Sequence, residues 1–259
     1  MEVIVLASGS KGNATFIKTQ ETKILIDAGI SLRMLKKRLS EHQETIDDLD
    51  AVFLTHEHSD HTKGLSTLFN NTRAILYTSA LTFDALNGLI SIDRFMPLEP
   101  GEALQFKDLS IEAFEASHDA VHALGFIMHN GTDKQLVYVT DTGFISKDLY
   151  PKIKDASMYI FESNYDVALL FNSGRPYYLK RRIDSVKGHL SNADAAYHLS
   201  QLVGSNTKAI VLAHRSEDCN TDEHCLQTIA DVFEDYALNI NHYDFSVAKQ
   251  HHPSKRYKL

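Results

Sequence analysis

The feature that most constrains this chain of 259 residues is the hexapeptide His56-Glu57-His58-Ser59-Asp60-His61, which follows the apolar run Val52-Phe53-Leu54. The apolar run predicts a buried strand, and Thr55 and Ser59 predict a turn, so a strand end should present the cluster on an irregular loop. Imidazole and carboxylate are ligands that Zn²⁺ and Mn²⁺ accept in catalytic sites. We therefore expect His56, His58, Asp60 and His61 to bind metal; a polar surface loop is the alternative.

The composition predicts a soluble protein of the cytoplasm that makes no membrane contact. No apolar run approaches the roughly 20 residues of a membrane span, and Met1-Glu2-Val3 opens no signal peptide. The net charge of −8 argues only mildly against nucleic-acid binding, because local charges matter more than the sum. We expect one domain over residues 1–259, with Cys219 and Cys225 reduced.

Strands and helices alternate along the chain without a repeat, which predicts an α/β layered domain. The predicted strands cover residues 2–7, 14–18, 23–27, 73–78, 124–130, 136–139, 158–161, 208–213 and 238–242, with a hairpin over 101–116. The predicted helices cover residues 32–42, 79–87, 192–202 and 222–236. We expect the tail over 250–253 to be frayed.

Two aspartates lie at predicted strand ends, where their carboxylates can serve metal chemistry. Asp27 could hold a ligand imidazole in its correct tautomer, with a helix-capping role as the alternative. Asp141 offers two oxygens that could bridge two cations, with a simple turn as the alternative.

A segment with basic and tyrosine side chains follows further along the chain. Basic residues can neutralise phosphates, and tyrosines can stack on unpaired bases. A charged, solvated loop is an equally good interpretation. The candidate nucleic-acid-binding residues are Arg175, Tyr177, Tyr178, Lys180, Arg181 and Arg182.

The hexapeptide behind a hydrophobic strand resembles the metal-binding motif of the metallo-β-lactamase fold superfamily, and the resemblance spans nearly the whole chain. It implies a four-layer αββα sandwich of two mixed β-sheets flanked by helices, with one or two metals at one edge. Within the superfamily the chain is most similar to the YycJ/WalJ/VicX group. Besides the hexapeptide, the segments behind that similarity are Ser8-Gly9-Ser10-Lys11-Gly12-Asn13, Thr140-Asp141-Thr142-Gly143, Glu162-Ser163-Asn164-Tyr165-Asp166 and Gly188-His189-Leu190-Ser191-Asn192.

The resemblance also implies a ligand set for two divalent ions, Zn²⁺ or Mn²⁺. The first ion would be held by His56, His58 and His118, the second by Asp60, His61 and His214, and Asp141 would bridge them. A hydroxide shared by the ions would attack phosphorus in line. Asp60, Glu162 and His189 are the expected catalytic residues; Glu162 and His189 resemble the acid pair of the phosphodiesterase branch, although His189 could instead be a helix cap.

The activity that the resemblance implies is a metal-dependent exonuclease acting on DNA in preference to RNA, with 5′ to 3′ polarity and a role in DNA repair as an extension of that hypothesis. Two other functions fit a metal site of this kind. One is hydrolysis of a small thioester or lactone, and the other is a non-catalytic, metal-binding regulatory module. The sequence leaves the native metal and the oligomeric state open.

Overall fold

The computed structural model describes residues 1–131 and 134–259, and it contains two mixed β-sheets of seven strands each, flanked by helices. The strands are β1 (Glu2–Ala7), β2 (Ala14–Lys18), β3 (Lys23–Ile26), β4 (Ala51–Phe53), β5 (Ile75–Thr78), β6 (Phe95–Pro97), β7 (Ala103–Phe106), β8 (Leu109–Glu115), β9 (Leu124–His129), β10 (Gln135–Val139), β11 (Met158–Glu162), β12 (Ala209–Ala213), β13 (Asp244–Val247) and β14 (Tyr257–Lys258). The α-helices are α1 (Leu32–Ser40), α2 (Ser59–Thr62), α3 (Leu65–Asn71), α4 (Ala80–Ala85), α5 (Tyr150–Ile153), α6 (Val167–Asn172), α7 (Tyr177–Ile183), α8 (Asn192–Leu202) and α9 (Asp222–Asp235). The predicted fold class is confirmed.

The first sheet has the strand order β14-β1-β2-β3-β4-β5-β6. Strands β1 to β3 pair antiparallel, and β3 to β6 pair parallel. All three residues of β4 are buried, as expected for a short parallel strand that is covered on both faces. Strand β4 lies between β3 and β5, so its carboxyl end is inside the sheet and not at an outer strand.

The second sheet contains strands β7 to β13. Strands β7, β8 and β9 pair antiparallel, which confirms the predicted hairpin, and β10 to β13 pair parallel. Parallel strands place their carboxyl ends at one edge of a sheet. The side chains that follow β10 and β12, and the last residue of β11, therefore converge.

The chain forms two compact units, each with its own internal contacts. The first unit comprises Met1–Glu115, Ala120–Lys134 and Lys249–Leu259, and the second comprises Ala116–Asp119 and Gln135–Ala248. A single domain over residues 1–259 stays a prediction. Within the described ranges, no helix has both the length and the apolar character needed to cross a bilayer.

The predicted strand over residues 238–242 is wrong. Asn239 instead caps a 3₁₀ turn over Ile240–His242, where its side chain accepts a hydrogen bond from the Asn241 amide. The strand begins only at Asp244, in register with Ala209 of β12. Local hydrogen bonding by an asparagine side chain outweighed the alternating pattern of apolar residues.

The C-terminal tail is ordered rather than frayed. Its last strand, β14, pairs antiparallel with β1, and the Ser254 amide donates to the Val5 carbonyl at 2.8 Å. Gln250 is buried, and its Nε2 donates to the Gly12 carbonyl at 2.8 Å. The tail thus satisfies backbone groups of β1 that would otherwise form an open sheet edge.

Candidate active-site clusters

In the first unit, the end of strand β4 positions a cluster of imidazoles. His56 and His61 are fully buried, and the His56 ring lies 4.6 Å from the His58 ring and 4.1 Å from the His61 ring, measured between centroids. The second half of the hexapeptide is a single helical turn, α2, and not the predicted irregular loop, because the amides of His61 and Thr62 both donate to the His58 carbonyl. This turn brings His61 back beside His56.

A buried carboxylate fixes the orientation of His61. The Nδ1 of His61 donates to Asp27 Oδ2 at 2.7 Å, and both side chains are fully buried. The Thr55 amide and hydroxyl also donate to Asp27, at 2.8 and 3.0 Å. Because Nδ1 carries the proton, Nε2 is the nitrogen with the lone pair that a metal requires. Asp27 therefore lies where its predicted role requires, and Thr55 is a supporting residue that the sequence analysis missed.

Asn13, in the loop between β1 and β2, braces the same cluster. Its amide Nδ2 lies 3.1 Å from His61 Nε2 and 3.3 Å from Asp60 Oδ2, and its backbone amide donates to the Asp60 carbonyl at 2.8 Å. A Cβ on Gly29 would lie 1.6 Å from that same carbonyl. The glycine and asparagine residues of the loop between β1 and β2 are the sequence signal for such a close backbone approach.

In the second unit, four side chains converge at the carboxyl ends of the parallel strands. Asp141, Glu162, His189 and His214 each offer a ligand atom within 4.8 Å of the others. Glu162 is the last residue of β11, His214 follows β12 directly, and Asp141 follows β10 after Thr140. His189 lies just before helix α8. The predicted Glu162 and His189 pair is therefore present in the geometry.

Glu162 is the centre of this second cluster. Its Oε1 accepts from His189 Nδ1 and from His214 Nδ1, each at 2.9 Å, and its Oε2 accepts from the amides of Thr142 and Leu190 at 2.9 and 3.2 Å. Burial acts to raise the pKa of this carboxyl, but the two imidazoles outweigh burial and lower the pKa below its ordinary value. Glu162 is therefore a stable anion that holds two histidines by the same ring nitrogen.

His118 is held by a neighbouring backbone carbonyl. Its Nδ1 donates to the Gly188 carbonyl at 3.1 Å, and its Nε2 lies 3.8 Å from Asp141 Oδ1. Burial lowers the pKa of His118, against the nearby charge of Asp141. A neutral imidazole with its proton on Nδ1 is the form that binds a metal.

Three residues of the two clusters have an unusual backbone conformation. Asp27, Asp141 and His214 follow strands with φ angles of 61°, 55° and 53°. This left-handed region costs an ordinary residue about 1–2 kcal/mol, although aspartate tolerates it better than most. Each chain segment turns sharply at its strand end, which aims the side chain back toward its own cluster. Such strain is typical of functional sites.

The basic segment differs from the predicted loop. Residues Tyr177–Ile183 form helix α7, and the tyrosines Tyr177 and Tyr178 are 70% and 74% exposed. Lys180 is buried, and its ammonium group donates to the carbonyls of Phe171 and Ser173, both at 2.7 Å. Lys180 thus joins α7 to the end of α6 and presents no charge to solvent.

The three arginines of the basic segment each contact a carboxylate. Arg175 pairs with Asp218 at 2.9 Å, and Arg181 pairs with Asp184 at 3.1 Å. Arg182 pairs with Asp119. The segment therefore offers exposed aromatic rings, but much of its positive charge is offset locally.

The histidine and carboxylate donors suit a divalent cation of the Zn²⁺ or Mn²⁺ type in either cluster.

A family model described as the beta-lactamase superfamily domain matches residues 22–215. The protein named Exodeoxyribonuclease YycJ of Bacillus anthracis is 36% identical over 91% of this chain and 90% of its own length. The chain belongs to the metallo-β-lactamase superfamily, in its YycJ/WalJ group.

Two further comparisons agree with this family. The protein named Exodeoxyribonuclease WalJ of Streptococcus pneumoniae is 36% identical over 94% of this chain and 91% of its own length. The crystal structure of the metallo-β-lactamase fold protein YhfI from Bacillus subtilis matches with a TM-score of 0.72, covering 98% of each chain at 16% identity. That likeness concerns the fold alone, and it agrees with the predicted metallo-β-lactamase fold.

Proposed function

We propose that this protein is a metal-dependent nuclease that shortens DNA from a strand end. The observation that carries the proposal is the Glu162 cluster, in which two imidazoles contact one buried carboxylate beside Asp141. Cleavage of a phosphodiester requires a proton for the departing sugar oxygen, and an imidazolium held by a carboxylate can supply it. Relatives of high coverage named as exodeoxyribonucleases support the same chemistry for this chain.

We propose two divalent ions as cofactors. His56, His58 and His118 would hold one, Asp60, His61 and His214 would hold the other, and Asp141 would be shared. Bound ions of this kind activate water and stabilise the negative oxygens of a phosphate. Zn²⁺ and Mn²⁺ are the candidates, because imidazole and carboxylate ligands accept both.

The residues of the chain have separate tasks in this mechanism. His189 would donate a proton from Nε2 to the leaving oxygen, because its Nδ1 is bound to Glu162. Glu162 would keep the imidazolium charged and oriented, since its low pKa leaves it ionised. Asp27 would keep His61 in the tautomer that binds metal through Nε2. Asp60 would be both a metal ligand and a catalytic residue.

The proposal has three finer parts. They are a preference for DNA over RNA, 5′ to 3′ polarity and a cytoplasmic location. The names of the YycJ and WalJ relatives favour DNA. Hydrolysis of a thioester or lactone is the competing activity, but it would leave the pairing of His189 with Glu162 without a purpose. A non-catalytic regulatory module would likewise need no proton donor.

The test is hydrolysis by the purified protein with Mn²⁺ or Zn²⁺. End-labelled single-stranded DNA, double-stranded DNA, RNA and a generic thioester serve as parallel substrates. We expect the labelled DNA to shorten in single-nucleotide steps, and the ladder gives the polarity. Cleavage of the thioester with intact DNA would overturn the proposal, and so would the absence of any hydrolysis.

A variant pair connects this activity to the metal ligands. His58→Ala should abolish turnover and bound metal together, as measured by hydrolysis and by metal analysis of the same sample. His252→Ala is the matched control, because it removes an exposed imidazole of the C-terminal tail. Full activity of metal-depleted His58→Ala protein would contradict the proposed ligand role.

A further inference from the structure

A short segment directly before His189 carries an exposed cation and an exposed apolar side chain. Val186 is 66% exposed, and the neighbouring Lys187 is exposed as well. Among residues 1–131 and 134–259, no carboxylate forms an ion pair with Lys187. The arginines of the basic segment differ, since each of them contacts a carboxylate. Lys187 therefore offers the uncompensated positive charge next to the proposed proton donor.

The backbone of this segment is held in place on both sides. The Ser117 hydroxyl donates to the Val186 carbonyl at 2.7 Å, and His118 Nδ1 donates to the Gly188 carbonyl at 3.1 Å. A Cβ on Gly188 would lie 2.1 Å from the Ile183 carbonyl oxygen, so the segment also packs against the end of α7. The side chains of Val186 and Lys187 thus project from a fixed backbone.

The turn after Asp141 lies against the same segment and adds an aromatic ring. A Cβ on Gly143 would lie 2.1 Å from the Ser185 carbonyl oxygen and 2.7 Å from the carbonyl carbon of Val186. The next residue, Phe144, is 52% exposed. Its backbone is fixed by the Thr142 hydroxyl, which donates to the Phe144 carbonyl at 2.8 Å. A large exposed aromatic ring on a braced turn is a suitable platform for stacking.

We propose that Lys187 and Phe144 form a subsite for the single-stranded end of a DNA substrate. Lys187 would contact a backbone phosphate next to the scissile bond, Phe144 would stack on an unpaired base, and Val186 would add apolar contact. An unpaired strand is the matching ligand because its bases can separate and stack on a protein ring, whereas the bases inside a duplex are covered by their stacked neighbours. One cation with one ring recognises a strand without reading its sequence. This subsite rests on the proposed nuclease function.

The subsite is tested by binding of a strand that the enzyme cleaves poorly. The metal-loaded protein is titrated into a fluorescein-labelled oligothymidylate with phosphorothioate linkages, and anisotropy is followed over a range of salt concentrations. The slope of log affinity against log salt is negative, and loss of one phosphate contact reduces its magnitude by about 0.7. We expect this decrease in Lys187→Ala and its restoration in Lys187→Arg. We expect Phe144→Ala to bind roughly tenfold more weakly with an unchanged slope.

Lys154→Ala is the matched control. Lys154 is also exposed, but it lies ahead of β11, whereas Glu162 ends that strand. Its removal should leave affinity and slope unchanged. Equal slopes in the wild type and in Lys187→Ala would overturn the subsite, as would equal losses in Lys187→Ala and Lys154→Ala. Blunt duplex DNA that binds as tightly as the single strand would overturn the stacking role of Phe144.

The failure of the subsite can be told apart from the failure of the nuclease proposal. A wild-type protein that cleaves ordinary DNA while Lys187→Ala binds normally would end the subsite alone. A wild-type protein that binds the probe through Lys187 and Phe144 but cleaves no DNA would end the nuclease proposal alone. A wild-type protein without affinity for the probe would overturn the subsite, and the hydrolysis assay then decides the activity separately.

Discussion

Asp27 in the first unit and Glu162 in the second are both fully buried carboxylates that bind imidazoles, yet their acidities shift in opposite directions. Burial raises the pKa of Asp27, and the single imidazole of His61 only partly offsets that effect. Two imidazoles contact Glu162, and together they lower its pKa in spite of burial. Both carboxyls are fully buried, so the number of imidazoles in contact, and not the depth of burial, accounts for the opposite directions of the two pKa shifts. The comparison identifies Glu162 as the electrostatic anchor of its cluster and Asp27 as a tautomer-setting partner.

The most severe test of this comparison is Glu162→Gln. The amide keeps the shape of the side chain but loses the charge that holds His189 and His214. Because general acid catalysis contributes about 10²- to 10⁴-fold, we expect kcat on single-stranded DNA to fall by that order. Steady-state hydrolysis at saturating metal measures the change. An unchanged kcat would show that Glu162 does not anchor the proton donor.

The matching change in the first unit is Asp27→Asn. An asparagine can accept from His61 Nδ1 but does not polarise the ring, so the metal ligand is weaker. We expect metal affinity to fall about 10- to 100-fold, as is usual when an outer partner of a ligand histidine is removed. Competition with a fluorescent chelator measures the affinity. If Asp27→Asn instead lowered kcat at saturating metal as strongly as Glu162→Gln, the proposed division of roles would be wrong.

A smaller effect is expected from Asn13→Ala. The Asn13 amide donates to Asp60 Oδ2, which belongs to a proposed metal ligand, whereas the backbone contact to the Asp60 carbonyl persists in the variant. Metal affinity should fall by about tenfold, near the lower limit for removal of such a partner. Asn71→Ala controls for loss of an asparagine, since Asn71 is exposed and its amide donates to the Thr67 carbonyl. Equal metal affinities of Asn13→Ala and Asn71→Ala would show that the Asn13 side chain does not support the metal ligands.

The smallest effect concerns stability as a function of pH in metal-free protein. The pKa of Glu162 is lowered from 4.5, so its stabilising contribution is present above that value and is lost as the pH falls through the folded pKa. The pKa of Asp27 is raised from 3.8, so its contribution has the opposite sign and is lost as the pH rises through the folded pKa. Both contributions to the free energy of unfolding are measured by urea unfolding across the acidic pH range. The proteins compared are the wild type, Glu162→Gln and Asp27→Asn.

The two variants should alter the slope of stability against pH in opposite directions. Glu162→Gln removes a contribution that grows with pH. The free energy of unfolding should therefore rise less steeply with pH below 4.5 than in the wild type. Asp27→Asn removes a contribution that declines with pH, which steepens the rise above pH 3.8. Slope changes of the same sign in both variants would contradict the opposite pKa shifts of Asp27 and Glu162.

Much of the fold could be predicted because its signals are local. Strands β1, β2 and β12 and helices α1, α8 and α9 lie within a few residues of their predicted positions, since apolar periodicity and capping residues act over short distances. The predicted secondary structure was wrong at two places, where a long-range contact or a local side-chain hydrogen bond determines the conformation of the backbone. The tail is ordered only because β1 lies beside it, and residues 238–242 turn because Asn239 caps them.

The sequence by itself determined the family and the kinds of donor atoms, because the hexapeptide and the strand-end carboxylates are short, contiguous patterns. Only the tertiary structure decided how those donors are held. Asp27 and His61 are 34 residues apart, and Glu162 and His214 are 52 residues apart. Their hydrogen bonds, and hence the opposite pKa shifts of two buried carboxylates, depend on strand register and burial that no local pattern encodes. For the same reason, the ion pairs of the basic segment and the exposed charge of Lys187 became visible only in three dimensions.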